Sequence, residues 1–534
     1  MNSLFDEIFR FDRLDRVAVL FEQRKIKYAE LRELTIQIAE TLNGLGIIKG
    51  DRVAVLLADS PEFVASFVAA ISLGAVAVPI NPALRPGDQL LILKDCGASI
   101  AIVEQKTAQP LFGESHASQE STVLKQLLMV RRNDDNAVAE AAGLGRKQAA
   151  SLCYLDDAER RAVDSEFPAH DTAVADAFIL YTSGSTGEPK GAVHTHADIF
   201  YTNQTYCREV LNLREGDRLF SSSRLPFAYG LGNALTFPLL NGLTAILCRE
   251  RPSAEVVARI LREYRPTIFF GVPVVYRMLL DHHRNVSELD TSSLRLCISA
   301  GEALPAPLGE DWQRTFGVQI LDGIGSTEML HMFMSNHEDA LRYGSSGSLL
   351  RGYEARLIDH DGNPTAQTEI GNLWIRGASA AMRYWQLPET SSETFVDGWV
   401  RTGDLYRQDS DGFWWHMGRS DDCFKPTGQW VSPVEVEGVL LKSENVRAVA
   451  VVEGFDKDGL ACVCAFVVRV ERSETNDEVV ESSLRMLCER ELPRFKQPLR
   501  YIFVSELPYT ATGKVQRFKL REQLRAKSAE TENT

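Results

Sequence analysis

Apolar and polar positions in the first 180 residues alternate between a helical period and short continuous runs. Tyr28–Leu45 has apolar residues at helical spacing and stops at Gly44 and Gly46, which suit a helix C-terminus. Arg52–Leu57 is a short apolar run that reads as a strand, after which Ser60 supplies an N-cap and Pro61 a first helical position. Phe63–Ile80 spans 18 residues without a charge, at the lower edge of what crosses a bilayer. Gly74 divides it into a helix-like half, Phe63–Leu73, and a β-branched half, Ala75–Ile80, closed by Pro79 and Pro82. A buried helix feeding a buried strand is therefore expected, not a membrane span. Strand, helix and strand within about 30 residues make a βαβ unit, which implies a parallel sheet with helices on its faces.

The alternation resumes further on. Asn133–Asp171 is polar and weakly periodic, a surface insertion or loose helical segment, and Asp176–Tyr181 reads as a buried strand running into a Gly/Ser/Thr loop. Strands are expected at Thr244–Leu247, Thr267–Phe270, Leu294–Ser299 and Gln319–Asp322. From Gly352 to Trp415 the pattern changes to short strands with turns at Asp361-Gly362 and Asp411-Gly412, a β-rich subdomain. A mixed α/β unit follows Gly418-Arg-Ser-Asp421, and the polar tail after Arg525 is expected to fray. At 534 residues, and about 150 per folding unit, three to four units are expected. The fold class is α/β. An N-terminal domain, 1–420, has subdomains at about 1–175, 176–350 and 351–420, the first two built on parallel sheets. A smaller α/β domain is expected to span 421–534.

Charge and cysteine content narrow the partners. Fifty-eight Lys and Arg against 73 Asp and Glu leave a net charge of −15, which lacks the basic footprint of a nucleic-acid binder. Nine scattered cysteines with no Cys-x-x-Cys pair suit a reducing cytoplasm. Cys462 and Cys464 alternate in an apolar run, which predicts two thiols on one strand face. Met1–Phe11 carries Asp6 and Glu7 and has no apolar segment, so no secretory signal is expected there.

The most informative stretch is Tyr181-Thr-Ser-Gly-Ser-Thr-Gly-Glu-Pro-Lys-Gly191. Gly184, Gly187 and Gly191 let backbone N–H groups converge on an anion. Thr182, Ser183, Ser185 and Thr186 add hydroxyls, and Lys190 adds a positive charge. The Walker A spacing is absent. By itself such a loop is as often a plain turn; the strand before it and the lysine after it favour phosphate.

This stretch resembles the phosphate loop of the adenylate-forming enzymes, the superfamily of acyl-CoA synthetases, luciferases and peptide-synthetase adenylation domains. Further segments resemble that family in order: Asp322-Gly-Ile-Gly-Ser-Thr-Glu328, Arg401-Thr-Gly-Asp404, Gly418-Arg-Ser-Asp-Asp422 and Tyr509-Thr-Ala-Thr-Gly-Lys514. Phe227-Ala-Tyr-Gly-Leu-Gly-Asn233, Ser299-Ala-Gly-Glu-Ala-Leu-Pro305, Ser326-Thr-Glu-Met-Leu-His331 and Trp430-Val-Ser-Pro-Val-Glu435 are similar to the benzoate-CoA ligase branch.

The resemblance implies ATP, Mg²⁺ and coenzyme A. Lys514, Glu328 and Thr186 would be catalytic, with Glu328 the Mg²⁺ anchor and Lys514 a cation bridging carboxylate and α-phosphate. The nucleotide would meet Thr182 to Gly187, Lys190, Ala300, Gly301, Glu302, Asp322, Gly323, Ile324, Ser326 and Thr327. Asp404 would take the ribose hydroxyls and Arg419 ribose or phosphate. Phe227, Ala228, Tyr229, Gly230, Ile324, Gly325 and His331 resemble a slot for one aromatic ring. Without the family, Phe227 and Tyr229 are equally ordinary core aromatics. Asp421 resembles the hinge that swings Lys514 out so that a thiol can enter, while Lys425 and Gly428 would meet CoA. Two departures matter: Pro226 replaces an aromatic common in the branch, and Pro426 stands beside Lys425 where a small or β-branched residue is usual.

Glu328-x-x-His331 also has the spacing of a metal pair on a helix, but no second such pair occurs. The expected function is an aryl-CoA ligase acting on benzoate or a substituted benzoate such as 2-aminobenzoate through an aryl-AMP. The alternatives are a free-standing adenylation enzyme that loads a carrier protein, and a non-catalytic acyl-adenylate-binding module. A monomer or homodimer with no membrane partner is expected.

Overall fold

The protein is described by a computed structural model covering residues 3–112, 126–130, 152–154, 176–183, 189–359, 361–366, 368–426, 429, 431–456, 460–470, 476–509 and 515–532. The first expected βαβ unit is present: Arg52–Leu56, the helix Pro61–Ser72 and the strand Val76–Pro79, with the two strands paired in parallel. Ser60 caps the helix by accepting the Phe63 N–H at 3.3 Å. Every residue of that helix except Glu62 is buried, because it shares one core with both large sheets. Val53 and Val55 of one sheet and Val19 and Ala245 of the other meet Phe63, Phe67, Ile36 and Leu42 of two helices there. Emptying such a site by Phe67→Ala costs about 3–5 kcal/mol. No helix among the described residues is long and apolar enough to cross a membrane.

The eight-stranded sheet runs Arg383–Tyr384, Pro189–Thr195, Asp176–Ser183, Val76–Pro79, Arg52–Leu56, Ile100–Glu104, Gln126–Val130 and Leu152–Tyr154. The nine-stranded sheet includes Ile320–Gly325, Leu296–Ser299, Ile268–Gly271, Arg218–Ser221, Thr244–Ile246 and Val17–Phe21, mutually parallel. These sheets do not follow the expected limits near 175 and 350. Val17–Phe21 joins the second sheet, whereas Asp176–Ser183 and even Arg383–Tyr384 belong to the first. Periodicity identifies strands but carries no record of pairing partners, so sheet membership does not follow chain order. The segment Asn133–Asp171 likewise contains Leu152–Tyr154, an edge strand too short to show a period.

A five-stranded antiparallel sheet built from Glu354–Ile358, Gly371–Arg376, Phe395–Val396, Trp399–Gln408 and Trp414–Arg419 is the β-rich region. Gly362 and Gly412 adopt positive φ at the two expected turns. The C-terminal unit places Val446–Phe455, Ala461–Arg469 and Arg500–Val504 between helices. Pro433–Leu440 and Asp477–Glu491 cover one face, and Arg517–Glu532 the other. Cys462 and Cys464 lie together on the second face, their sulfurs 3.8 Å apart. The tail is not frayed from Arg525: the last helix continues to Glu532. Its Ala, Lys and Glu residues are good helix formers, which a reading based on polarity alone undervalues.

Candidate active site

Two adjacent parallel strands end at the same edge and carry the first part of the site. Leu296–Ser299 leads into Ala300-Gly301-Glu302, and Ile320–Gly325 leads into Ser326–Glu328, with Ser299 opposite Asp322. Ligands of open α/β sheets gather at such carboxyl ends. Asp322 is buried, and its carboxyl accepts the Leu304 N–H at 3.3 Å, tying the two segments together. Burial pushes its pKa up to about 8, so at neutral pH it is mostly an uncharged acid.

Ser326 accepts the Met329 N–H and opens a single 3₁₀ turn, Thr327–Met329, rather than a helix. Leu330 then turns back at φ 63° and ψ −41°, a γ-turn in which the His331 N–H donates to the Met329 carbonyl at 2.8 Å, a strained conformation that costs about 1–3 kcal/mol. That reversal sends the side chains of residues 328 and 331 into different surroundings. Glu328 accepts the Tyr384 hydroxyl at 2.7 Å. His331 is buried, with Nε2 3.2 Å from Asn233 Oδ1. They do not form the metal pair that their spacing allowed.

Around Glu328 the charges interlock. Lys190 Nζ lies 5.7 Å from the centre of the Tyr384 ring. Burial, and then the Glu328 carboxylate, raise the Tyr384 pKa, so its hydroxyl stays protonated and donates. Arg419 donates to the Thr402 carbonyl at 2.8 Å and to Asp404 at 3.3 Å, across paired strands. Burial alone would lower the Arg419 pKa, but Asp404, Asp421 and Glu328 together raise it. Gly403 sits at φ 74°, and a Cβ there would come within 2.6 Å of Arg419 Nη2, so the Thr-Gly-Asp stretch of the strand Trp399–Gln408 needs glycine. Asp404 is buried in a strand, not a solvated turn residue, and His416 Nε2 lies 3.5 Å from it.

The ring-slot residues form a second group. Phe227 precedes the short helix Ala228–Leu231, which carries Tyr229 and Gly230. The His331 ring lies 5.7 Å from Tyr229, 4.8 Å from Tyr206 and 4.6 Å from Phe237. Burial holds the His331 pKa down to about 3, so the imidazole is neutral. Its Nδ1, the Asn233 side-chain nitrogen and the Tyr206 hydroxyl have no hydrogen-bond partner among the described residues. Gly325 approaches so closely that a Cβ would sit 2.4 Å from the His331 carbonyl oxygen. Ile324 packs half-buried against the same core.

Other expected residues are more scattered. Thr182 pairs with Lys190 and Ser183 with Pro189 in an antiparallel hairpin; Gly184, Ser185, Thr186 and Gly187 lie outside the described residues, as do Gly428 and Lys514. Val515, next to Lys514, donates its N–H to Glu302 at 3.0 Å, so the C-terminal unit touches the Ala300–Glu302 segment. Asp421 and Lys425 are exposed on the segment leading into that unit, and the Ser420 hydroxyl donates to Asp421 at 3.0 Å. Arg517 joins Glu437 through two 2.9 Å contacts and lies 3.7 Å from Asp422. Sequence reasoning did not single out Tyr384, His416, Tyr206 or Asn233 as site residues. Tyr384 carries no local signal, since only its pairing with Ala192 places it here.

This fold and this arrangement define the class. The chain belongs to the AMP-binding enzyme family, which matches residues 9–385, and the AMP-binding enzyme C-terminal domain matches residues 435–514. It is 41% identical over 478 residues to the benzoate–CoA ligase of Thauera aromatica, covering 89% of this chain and 86% of that one. It is 33% identical to the anthranilate–CoA ligase of Pseudomonas aeruginosa, over 98% and 96% of the two chains. Among solved structures it resembles the anthranilate CoA ligase AuaEII in complex with anthranoyl-AMP, with a TM-score of 0.90, 35% identity and coverage of 99% and 98%. It also resembles a benzoate CoA ligase from Burkholderia xenovorans LB400, with a TM-score of 0.84, 36% identity and coverage of 98% and 100%.

Proposed function

We propose that this protein is an AMP-forming aryl-CoA ligase that activates benzoate or a ring-substituted benzoate, 2-aminobenzoate included. The observation that carries the reading is the pairing of two unlike compartments on one turn, interlocked charges at Glu328 and a neutral aromatic enclosure at His331. In the first half-reaction the aryl carboxylate attacks the α-phosphorus of ATP and pyrophosphate leaves. In the second the CoA thiol attacks the aryl-AMP carbonyl and AMP leaves. Both partners of the first step are anions, so positioning and charge neutralisation supply most of the catalysis.

In this reading Thr182 to Gly187 and Lys190 hold the phosphates, and Asp404 takes the ribose hydroxyls. Arg419, kept cationic by its neighbours, meets ribose or phosphate, while Ala300, Gly301 and Glu302 border the nucleotide. Asp322, Gly323, Ile324, Ser326 and Thr327 form the strand end beneath it. Glu328 fits a Mg²⁺ site: one oxygen accepts from Tyr384, and an oxygen donor set of one carboxylate plus phosphate and water suits that ion. Bound there, Mg²⁺ would neutralise phosphate charge. Lys514 bridges the two reacting anions, and a rotation about Asp421 exchanges it for the thiol at Lys425 and Gly428. The contact between Val515 and Glu302 supports a pose with the C-terminal unit closed on the nucleotide segment. Phe227, Ala228, Tyr229, Gly230, Ile324, Gly325 and His331 enclose the ring.

The test is pyrophosphate release across a panel of benzoates, with and without CoA. Release that depends on an aryl acid, followed by aryl-CoA formation, is the expected result. Release without any thioester would favour loading of a carrier protein, and no release with any member would overturn the ligase reading.

A further inference from the structure

One buried pair outside the residues assigned above touches the Glu328 turn. His194 lies on Pro189–Thr195, the strand that leaves the phosphate hairpin, and its side chain is fully buried. Its Nε2 is 2.8 Å from the Thr327 carbonyl oxygen and its Nδ1 is 2.8 Å from Asp198 Oδ2. A carbonyl oxygen only accepts, so Nε2 carries the hydrogen and donates it to Thr327. Asp198 is itself fixed, since its two oxygens accept the Thr195 N–H at 3.0 Å and the Thr195 hydroxyl at 2.6 Å. Phe178, opposite His194 in the hairpin, stacks on the imidazole with ring centres 5.2 Å apart. Edge and face are both held, and the ring has one orientation.

What it holds is the peptide that leads into Glu328. The turn Thr327–Met329 is a single 3₁₀ turn, too short to orient itself by a hydrogen-bond ladder. Its three successive carbonyls each meet a donor from elsewhere. His194 donates to that of Thr327, the Ala381 N–H to that of Glu328 at 2.7 Å, and the Ser379 hydroxyl to that of Met329 at 2.9 Å. The peptide unit is planar, so fixing the Thr327 carbonyl fixes the plane that ends at the Glu328 Cα. Of the three donors, His194 alone comes from the phosphate hairpin.

We propose that His194, oriented by Asp198, is a positioning residue that registers the Glu328 carboxylate against the phosphate hairpin. This rests on the role of Glu328 given above. Groups that orient a ligand side chain typically change affinity or rate by about 10–100-fold when removed.

The experiment compares His194→Ala, His194→Gln, Asp198→Asn and Glu328→Gln with wild type. Three quantities are read: calorimetric ATP affinity with and without Mg²⁺, the rate of aryl-AMP formation, and the rate of CoA attack on preformed aryl-AMP. His194→Ala should slow aryl-AMP formation by about 10–100-fold and weaken ATP binding only when Mg²⁺ is present, leaving CoA attack near the wild-type rate. His194→Gln, which returns an N–H near the Nε2 position, should recover most of the loss, and Asp198→Asn should fall between. Wild-type adenylation in His194→Ala would overturn the proposal, and so would equal slowing of both half-reactions. If His194→Ala does not fold, His194→Gln and Asp198→Asn decide, and wild-type behaviour of Asp198→Asn would overturn it. Should wild type activate no aryl acid, the ligase reading fails by itself. ATP·Mg²⁺ calorimetry still reads this inference: parallel losses in His194→Ala and Glu328→Gln support it, and a loss in Glu328→Gln alone overturns it.

Discussion

Glu328 and His331 are three residues apart, yet their surroundings follow opposite electrostatic rules. Near Glu328, cations and anions face one another: Lys190 lies over the Tyr384 ring, Tyr384 donates to Glu328, and Arg419 joins Asp404. Near His331, burial removes charge, leaving a neutral imidazole among Tyr206, Tyr229 and Phe237. The first region suits a polyanion with its counter-charges in place, the second a flat uncharged ring. One reversal of the chain at Leu330 separates them. A reaction between a phosphate and a carboxylate on a ring needs both within a few ångströms, and a single turn with positive φ supplies that closeness.

On the proposed reading the largest effect should come from Lys514, which would serve both regions. Lys514→Ala should cut aryl-AMP formation by at least about 10²–10³-fold, the range for a lost charge-stabilising donor, while CoA still attacks preformed aryl-AMP. Separate assays of the two half-reactions read this, and equal loss in both would break the division of labour. Glu328→Gln should come next, with a fall of about 10–100-fold in adenylation and no change in the order of preference among benzoates. His331→Ala should do the reverse, changing that order while the KM for ATP stays put. If both variants altered both quantities, the two regions would not be separable.

Tyr384→Phe removes one hydrogen bond to a charged group, worth at least about 1.5 kcal/mol, and should slow adenylation by about tenfold or more. Fluorescence-monitored melting should remain near wild type, because the ring stays packed against Phe395.

The smallest effect concerns stability against pH. Burial lowers His331 from 6.5 to about 3, so its contribution is complete above about 6.5 and is lost as pH falls towards 3. Burial raises Asp322 from 3.8 to about 8, so its contribution is complete below about 4 and is lost as pH rises through 8. Between those limits the slopes oppose each other, each at most about 1.4 kcal/mol per pH unit. Relative to wild type, His331→Phe should gain stability on acidification from pH 6.5 to 4.5, and Asp322→Asn should lose it. Thermal midpoints at several pH values check this, and shifts of the same sign would contradict the assigned protonation states.

Much of the fold was legible along the chain, because an amphipathic period or a buried apolar run is a local property. Tyr28–Gly44, Pro61–Ser72 and Val76–Pro79 lie within a residue or two of expectation. The sheet boundaries were not legible: Val17–Phe21 pairs with Thr244–Ile246, more than 200 residues away, and nothing in either segment records the other. The candidate site divides the same way. Lys190, Glu328, Asp404 and Arg419 stand in dense local motifs of glycine, hydroxyl and charge, which carry chemistry by composition.

The amino-acid sequence by itself determined the α/β class, the order of motifs and the membership in the AMP-binding enzymes, since each depends on residue types at short spacing. Only the tertiary structure decided that Tyr384 reaches Glu328, that His194 holds the Thr327 carbonyl, and that Glu328 and His331 face different surroundings. Those relations depend on strand pairing and on one backbone dihedral at Leu330, and distance in space and the sign of φ are set by packing of the whole chain.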